Sequence, residues 1–284
     1  MKINNTKIFL SKAAAQLILI LLAFVMIYPL LWLIMGSVKG KADFFQGSFK
    51  IFSSELRWKN FSEGWEGFGG YSFGHFIKNS AVLSVLVTIG TVFSSAWVAN
   101  GFARINFRGK KIWFSVLMLT LMLPTQVLMV QRYIIFFHLD WINSIRPIVI
   151  PAFLAYQPFF VFLLVQFIRT IPRELDEAAY IDGCSKIGVF FKIIFPLSRS
   201  ALITSTIFAF YWAWDDFINP LIYLNKPSMY TVSLALRLFN DPAAGSNWGA
   251  MFAMAVISLL PVIIVFLIFQ KYIVEGISTQ GLKG

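Results

Sequence analysis

Apolar residues run along this chain in long unbroken stretches, not in the three-and-four spacing of a helix that faces water. Six stretches reach the roughly twenty residues needed to cross about 30 Å of hydrocarbon: 14–36, 81–103, 112–131, 147–168, 200–224 and 250–270. Five of the six carry no Asp, Glu, Lys or Arg. Charges stand at the edges instead, with Lys78 and Arg104 around the second stretch, Lys111 and Arg132 around the third, and Arg146 and Arg169 around the fourth. Continuous runs predict helices, because barrel strands would alternate over about ten residues. The expected fold is therefore all-α, a polytopic membrane protein with six transmembrane helices. The first run follows Lys2, Lys7 and Lys12; it is too long for a signal-peptide core and no small-residue cleavage site follows it, so it is expected to be retained. Segment 37–75, rich in Gly, Phe and Trp, is expected to form a folded external loop or a short interfacial helix.

Composition narrows the class. At 58% hydrophobic residues, 13% charged residues and a mean hydropathy of +0.74, the chain is too apolar for a disordered or an ordinary soluble protein. Cys184 is the single cysteine, which excludes an internal disulfide. A net charge of +11 raises the question of nucleic acid, but the bases cluster at span edges, where they set orientation. With the N-terminus inside, residues 1–13, 102–111, 169–199 and 271–284 hold fourteen Lys and Arg, against ten on the other side. Short loops decide the matter: Arg104, Arg108, Lys110 and Lys111 lie close together without an acid, so both termini are expected in the cytoplasm. His75 and His138 are too few and too far apart for a metal or catalytic centre.

Between the fourth and fifth stretches lies segment 169–199, far longer than a turn requires. Pro172 suits a first helical turn, and Glu174, Asp176 and Glu177 complement the positive end of a helix starting there. Gly183 can end that helix in a left-handed conformation, Ser185 can cap a second helix, and Pro196 can close it. The expectation is a helix, a sharp bend and another helix on the cytoplasmic side. Leu175, Ala178, Ala179 and Asp182 recur at three- and four-residue steps, giving a small apolar face with Arg173 and Glu177 beside it. By spacing alone, this pair could equally rest on the membrane surface.

These residues carry a resemblance. Glu177-Ala178-Ala179, three residues, Gly183, nine residues, Ile193, one residue, then Phe195-Pro196 resembles the EAA signature of ABC importer permeases, E-A-A-x3-G-x9-I-x-L-P, with Phe195 replacing the usual Leu. Trp214-Asp215-Asp216-Phe217 before Pro220-Leu221 is similar to the W-N-E-F-x-x-P-L segment of carbohydrate permeases. Leu123-Pro124-Thr125-Gln126-Val127 and the glycine-bearing ending through Gly284 also look like theirs, whereas Gln131 stands where many relatives have Pro. The resemblance implies a maltose-type, type I ABC importer permease of the prokaryotic cell membrane. It implies a second permease subunit as heterodimeric partner, two ATP-binding subunits and an extracellular or periplasmic sugar-binding protein. ATP and Mg would then be bound by the ATPases, with no cofactor on this chain, which also lacks a G-x-x-x-x-G-K-[ST] phosphate loop. Arg173, Glu174, Glu177, Ala178, Ala179, Asp182, Gly183 and Pro196 would couple to the ATPase, with Glu177 as the ionic anchor.

Asp215 and Asp216 are the only acids within a stretch, and each would cost about 2.5–3.5 kcal/mol or more facing lipid at mid-bilayer. Adjacent helical residues diverge by about 100°, so both cannot point one way unless the helix breaks, which Asn219 and Pro220 make plausible. Two readings stand open: a sugar pathway lined by Tyr211, Trp214, Asp215, Asp216 and Asn219, with Gln126 and Gln131 from the third stretch, or a polar cluster that caps an interrupted helix. Two other function classes compete. An ion-coupled secondary carrier would be expected to show intramembrane acids in both halves, and the first half has none. An intramembrane enzyme using Asp215 and Asp216 as metal ligands lacks a second acidic cluster or a neighbouring histidine.

Overall fold

Helix follows apolar sequence almost throughout a computed structural model of the chain, which describes residues 5–40, 56–239 and 247–281. In order these form α1 (Asn5–Ser37), α2 (Lys59–Glu66), α3 (Phe73–Arg104), α4 (Lys110–Leu121), α5 (Met129–His138), α6 (Arg146–Ala152), α7 (Pro158–Thr170), α8 (Glu174–Ile181), α9 (Lys186–Val189), α10 (Phe195–Leu197), α11 (Arg199–Asp215), α12 (Ile218–Tyr223), α13 (Val232–Leu238) and α14 (Trp248–Gly281). The fold is all-α, as expected. Much of the expected external segment, 41–55, lies outside the described residues; α2 is a short helix within the remainder.

Among the described residues, three helical segments are long and apolar enough to cross a membrane, Lys12–Ser37, Phe73–Arg104 and Trp248–Lys271, and the number reaches five if two bent pairs are each taken as one span. The other expected spans are interrupted, each for a local reason. Stretch 112–131 is not one helix: Pro124 has no N–H to donate and disfavours helix at Leu123, so α4 ends at Leu121. A 3-10 turn, Thr125–Leu128, leads into α5, and the two arms bend by 97°. Stretch 147–168 is likewise not continuous. Pro158 holds Gln157 extended and begins α7 at its first turn, while Ala155 takes a positive φ of 52°. At thirteen residues, α7 is about 20 Å long. The fifth stretch breaks at Asp216, one turn before the expected position. Pro220 instead sits in the first turn of α12, where a missing N–H costs nothing.

Backbone groups freed by these breaks find partners. Ser94 Oγ of α3 donates to the Ala152 carbonyl at 2.8 Å and accepts from the Ala155 N–H at 3.1 Å, closing the end of α6. Ser233 Oγ of α13 donates to the Asp216 carbonyl at 2.7 Å.

Contacts group the chain into two units. One comprises residues 74–235 and 260–284. Its largest apolar cluster packs Ala96, Ala99 and Ala103 of α3 against Val161, Leu164, Val165 and Ile168 of α7, together with Ala179, Val189, Phe190 and Ile194. A second cluster joins Leu83 and Val87 of α3 to Ile148, Ala152, Tyr223 and Leu224. The other unit comprises residues 1–73 and 236–259. There the Asn60 amide donates to the Ser37 and Lys39 carbonyls at 3.0 and 2.9 Å, clamping the chain where α1 ends. Trp32 meets Phe252 edge to face, and Glu63 takes both Arg57, at 2.6 Å, and Asn247, at 3.2 Å. Asn60→Ala leaves two buried carbonyls without their donor, so a loss of about 1–3 kcal/mol is expected. A lowered midpoint in thermal unfolding of the detergent-purified protein reads it.

Candidate functional site

Two places bring the singled-out residues together. The first is the elbow of segment 169–199. Arg173 precedes α8, and its carbonyl accepts from the N–H groups of Asp176 and Glu177 at 2.9 and 3.1 Å. Glu174, Asp176 and Glu177 occupy the first turn, at the positive end of the helix. The helix ends in a Schellman turn: the Cys184 N–H donates to the Ala179 carbonyl at 2.9 Å and the Gly183 N–H to the Tyr180 carbonyl at 3.1 Å, with Gly183 at φ +81°. Ser185 then caps α9, its Oγ accepting from the Gly188 N–H at 3.1 Å. The expected helix, bend and helix are present.

Pro196 does more than close the second helix. Having no N–H, it cannot bond the Lys192 carbonyl, and the turn before it, Phe190–Ile194, winds as a π-helix with the Phe195 N–H on the Phe190 carbonyl. Together α9, this turn and α10 meet α11 at 77°.

The elbow has two faces. Inward, Asp176 and Ala179 are buried in the chain itself. Outward, Glu174, Leu175, Glu177, Ala178 and Asp182 are exposed, and so are Tyr180, Ile181 and Ile187, with Ile181 at 87%. Ile181 thus stands as a large apolar side chain exposed among acids. From the sequence Asp176 is expected only to complement the start of the helix, not to hold a partner. Its Oδ2 lies 3.5 Å from Arg104 Nε at the end of α3, and Arg104 also donates to the Ile171 carbonyl at 2.8 Å. Burial pushes the Asp176 carboxyl above its ordinary range, against the downward pull of Arg104 and Arg173. Seventy-two positions separate the pair in the chain, and no spacing rule links them.

The second place is a cavity of about 600 Å³. All three helix interruptions line it: Leu123, Thr125 and Gln126 from the first, Tyr156 and Gln157 from the second, Asp215, Asp216 and Phe217 from the third. Asn219 joins them. Asp216 is engaged locally, its Oδ1 accepting the Asn219 N–H at 3.2 Å and its Oδ2 the Asn219 amide at 2.7 Å, so it caps α12. Asp215, next to it, is exposed toward the cavity. Gln131, Tyr211 and Trp214 do not line it; Gln131 and Tyr211 face outward elsewhere, and Trp214 is buried with Phe210 stacked on it at 5.8 Å. Arg132, Tyr156, Gln157 and Trp212 line the cavity unforeseen. The Arg132 guanidinium stands 5.8 Å from the Tyr156 ring centre, and Gln157 donates to the Tyr156 hydroxyl at 2.7 Å. Carboxylates, a guanidinium and aromatic rings thus line one cavity.

Residues 90–279 match the family described as binding-protein-dependent transport system inner membrane component. The chain belongs to that family. It is 36% identical to the probable ABC transporter permease protein YurM of Bacillus subtilis over 98% of its own length and 91% of the relative's. It is 31% identical to the trehalose/maltose transport system permease protein MalG of Thermococcus litoralis, over 93% and 94%. Among solved structures, a bacterial ABC transporter for import of the acidic polysaccharide alginate includes a chain that superposes at a TM-score of 0.80, with 20% identity over 96% of this chain and 99% of that one. The permease is therefore a multi-pass membrane component of an ABC importer, a transport subunit and not an enzyme. Membership decides against the ion-coupled carrier and the intramembrane enzyme.

At Gly183 a Cβ would meet nothing within 4 Å, so the cost of a side chain is conformational alone. Gly183→Val is expected to lose about 1–2 kcal/mol from the left-handed backbone, and Gly183→Asn less. Faster limited proteolysis at the elbow of the valine variant, with the asparagine variant between it and the parent, is the expected result.

Proposed function

We propose that this permease moves a sugar or oligosaccharide into the cell as one half of a permease heterodimer. Six spans cross the membrane in this reading: α1, α3, the bent α4–α5 pair, α6 with α7, α11 with α12, and α14. Both termini and the elbow face the cytoplasm, on the side where the arithmetic of Lys and Arg is richer. Two ATP-binding subunits supply ATP and Mg chemistry, and a sugar-binding protein delivers substrate from the opposite side. Support for a sugar comes from the relatives, which include transport proteins for trehalose and maltose and for arabinooligosaccharides.

One observation carries the coupling role: the outward face of α8, where Glu177 and Ala178 stand beside the exposed Ile181. In the proposed mechanism this face seats in the ATPase, Glu177 meets a basic residue there, and Gly183 holds the bend. Arg173, Glu174, Ala179, Asp182 and Pro196 shape the same joint. Removing one partner of a desolvated charge pair costs about 2–5 kcal/mol. Glu177→Ala is therefore expected to lose copurification of the ATPase or, where the complex holds, to hydrolyse ATP without uptake. Unchanged copurification and unchanged uptake would refute the docking role.

For the pathway, the observation is that three interrupted helices converge on one cavity, because irregular backbone at membrane depth is tolerated only inside protein or beside water. Gln126, Asp215 and Asn219 offer groups for sugar hydroxyls, and Trp212 and Tyr156 offer ring faces; Asp216 holds the break open by capping α12. Gln131, Tyr211 and Trp214 have no part in this pathway. A lost hydrogen bond is worth about 0.5–1.5 kcal/mol, or about two- to tenfold. Gln126→Ala and Asp215→Asn are each expected to reduce uptake of a radiolabelled oligosaccharide by that factor while ATPase copurification stays normal. Undiminished uptake by both would remove the cavity from the pathway.

A further inference from the structure

The elbow is attached by covalent continuity to α7 on one side and α11 on the other, but its inward face rests on a third helix. Asp176 and Arg104 are nearly buried, with side chains 11% and 8% exposed. Arg104 ends α3, so its guanidinium reaches from the end of one long helix into the first turn of α8 and, through the Ile171 carbonyl, into the chain just before it. The same face of α3 continues the contact. Ala96, Ala99 and Ala103 lie at helical steps in the cluster that holds Ala179, Val189 and Phe190, and their small side chains let the helices approach. Farther along, Trp97 meets Phe190 edge to face at 5.0 Å and Phe191 at 5.9 Å, and Phe93 stacks on Phe191 at 6.5 Å.

We propose that the Arg104–Asp176 pair is a clasp that makes α3 move as one body with the elbow, so that a displacement of α8 reaches three transmembrane segments and not only the two flanking it. A packed apolar contact between helices can slide by small repacking, whereas a buried charge that loses its partner is stranded without solvation. Separation of α8 from α3 is thereby penalised in a way that sliding of alanine against alanine is not. Arg104 and Asp176 act here as positioning residues. The inference rests on the reading of the elbow as the ATPase seat, but the two fail separately.

Paired spin labels test it. Gly101 of α3 has open space around its Cβ position, and Lys186, which opens α9 within the elbow, is exposed, so Gly101→Cys and Lys186→Cys in a Cys184→Ala background accept labels. The labelled chain is assembled with its partner permease and ATPase in lipid nanodiscs, and the distance between labels is measured without nucleotide and after trapping with Mg-ATP and vanadate. With the clasp intact, the distance is expected to stay the same in both states. With Asp176→Asn or Arg104→Gln added, it is expected to broaden or shift on trapping. A shift of several ångströms with the clasp intact overturns the proposal, and so does an unchanged distance in both clasp variants. Should either variant fail to assemble, the other decides, and the intact-clasp measurement stands alone as a refutation if it shifts. Failure of the docking reading shows earlier and differently, as Glu177→Ala that matches the parent both in copurified ATPase and in uptake.

Discussion

A peptide group in hydrocarbon has no water to bond, and that constraint governs how this permease can be built. Long helices meet it internally, and α1 and α14 each continue through a proline, Pro29 and Pro261, at the loss of one ladder bond. Wherever the ladder stops, the freed groups must be satisfied from elsewhere in the protein. Ser94 does this for the end of α6, Ser233 for the Asp216 carbonyl, and the Asp216 carboxylate for the start of α12. Ser94, Ser233 and Asp216 thus each take up a backbone group that a helix break sets free. The places where helix stops are also the places where polar side chains can face a cavity instead of lipid.

This explains which parts of the fold were legible in the chain. Hydropathy finds apolar stretches whatever backbone they adopt, so 14–36, 81–103 and 250–270 correspond to helices, while 112–131 and 147–168 conceal breaks at Pro124 and before Pro158. Both prolines were visible, but a proline inside an apolar run is compatible with either a tolerated kink, as at Pro29, or a break. Which one occurs depends on whether a distant side chain such as Ser94 can accept the consequences. The break in the fifth stretch was foreseen because two adjacent acids cannot share a helix face. Its position was displaced by a turn because Asp216, not Pro220, takes the cap. The elbow was legible nearly to the residue, since Gly183 and Ser185 act through bonds to residues three to five positions away. The π turn before Pro196 was not, nor was the cavity wall built by Arg132, Tyr156 and Gln157, which depends on three-dimensional convergence.

The division of labour within α8 follows from geometry. Neighbouring residues on a helix point about 100° apart, and Asp176 and Glu177 are neighbours. One carboxylate is turned into the chain and committed to Arg104; the other is turned out and uncommitted within it. Acids in a first helical turn favour the helix equally from either position, so helix formation alone does not account for why one is buried. Burying it is costly, as the upward push on its carboxyl records, and a buried pair is weak grounds for added stability.

What such a pair would supply in the proposed mechanism is a fixed register between two elements, since Asp176 Oδ2 faces Arg104 Nε at 3.5 Å in the arrangement of α8 against α3 described above. The Schellman turn at Gly183, the Ser185 cap and the ion pair each remove one way for the elbow to deform: unwinding at its bend, fraying at its second helix, and sliding on its support. A part restrained in all three respects transmits a displacement applied at its outer face without absorbing it. In the proposed mechanism the exposed Ile181 and Glu177 provide that outer face, so the stiffness of the elbow and the exposure of its tip belong to the same mechanical requirement.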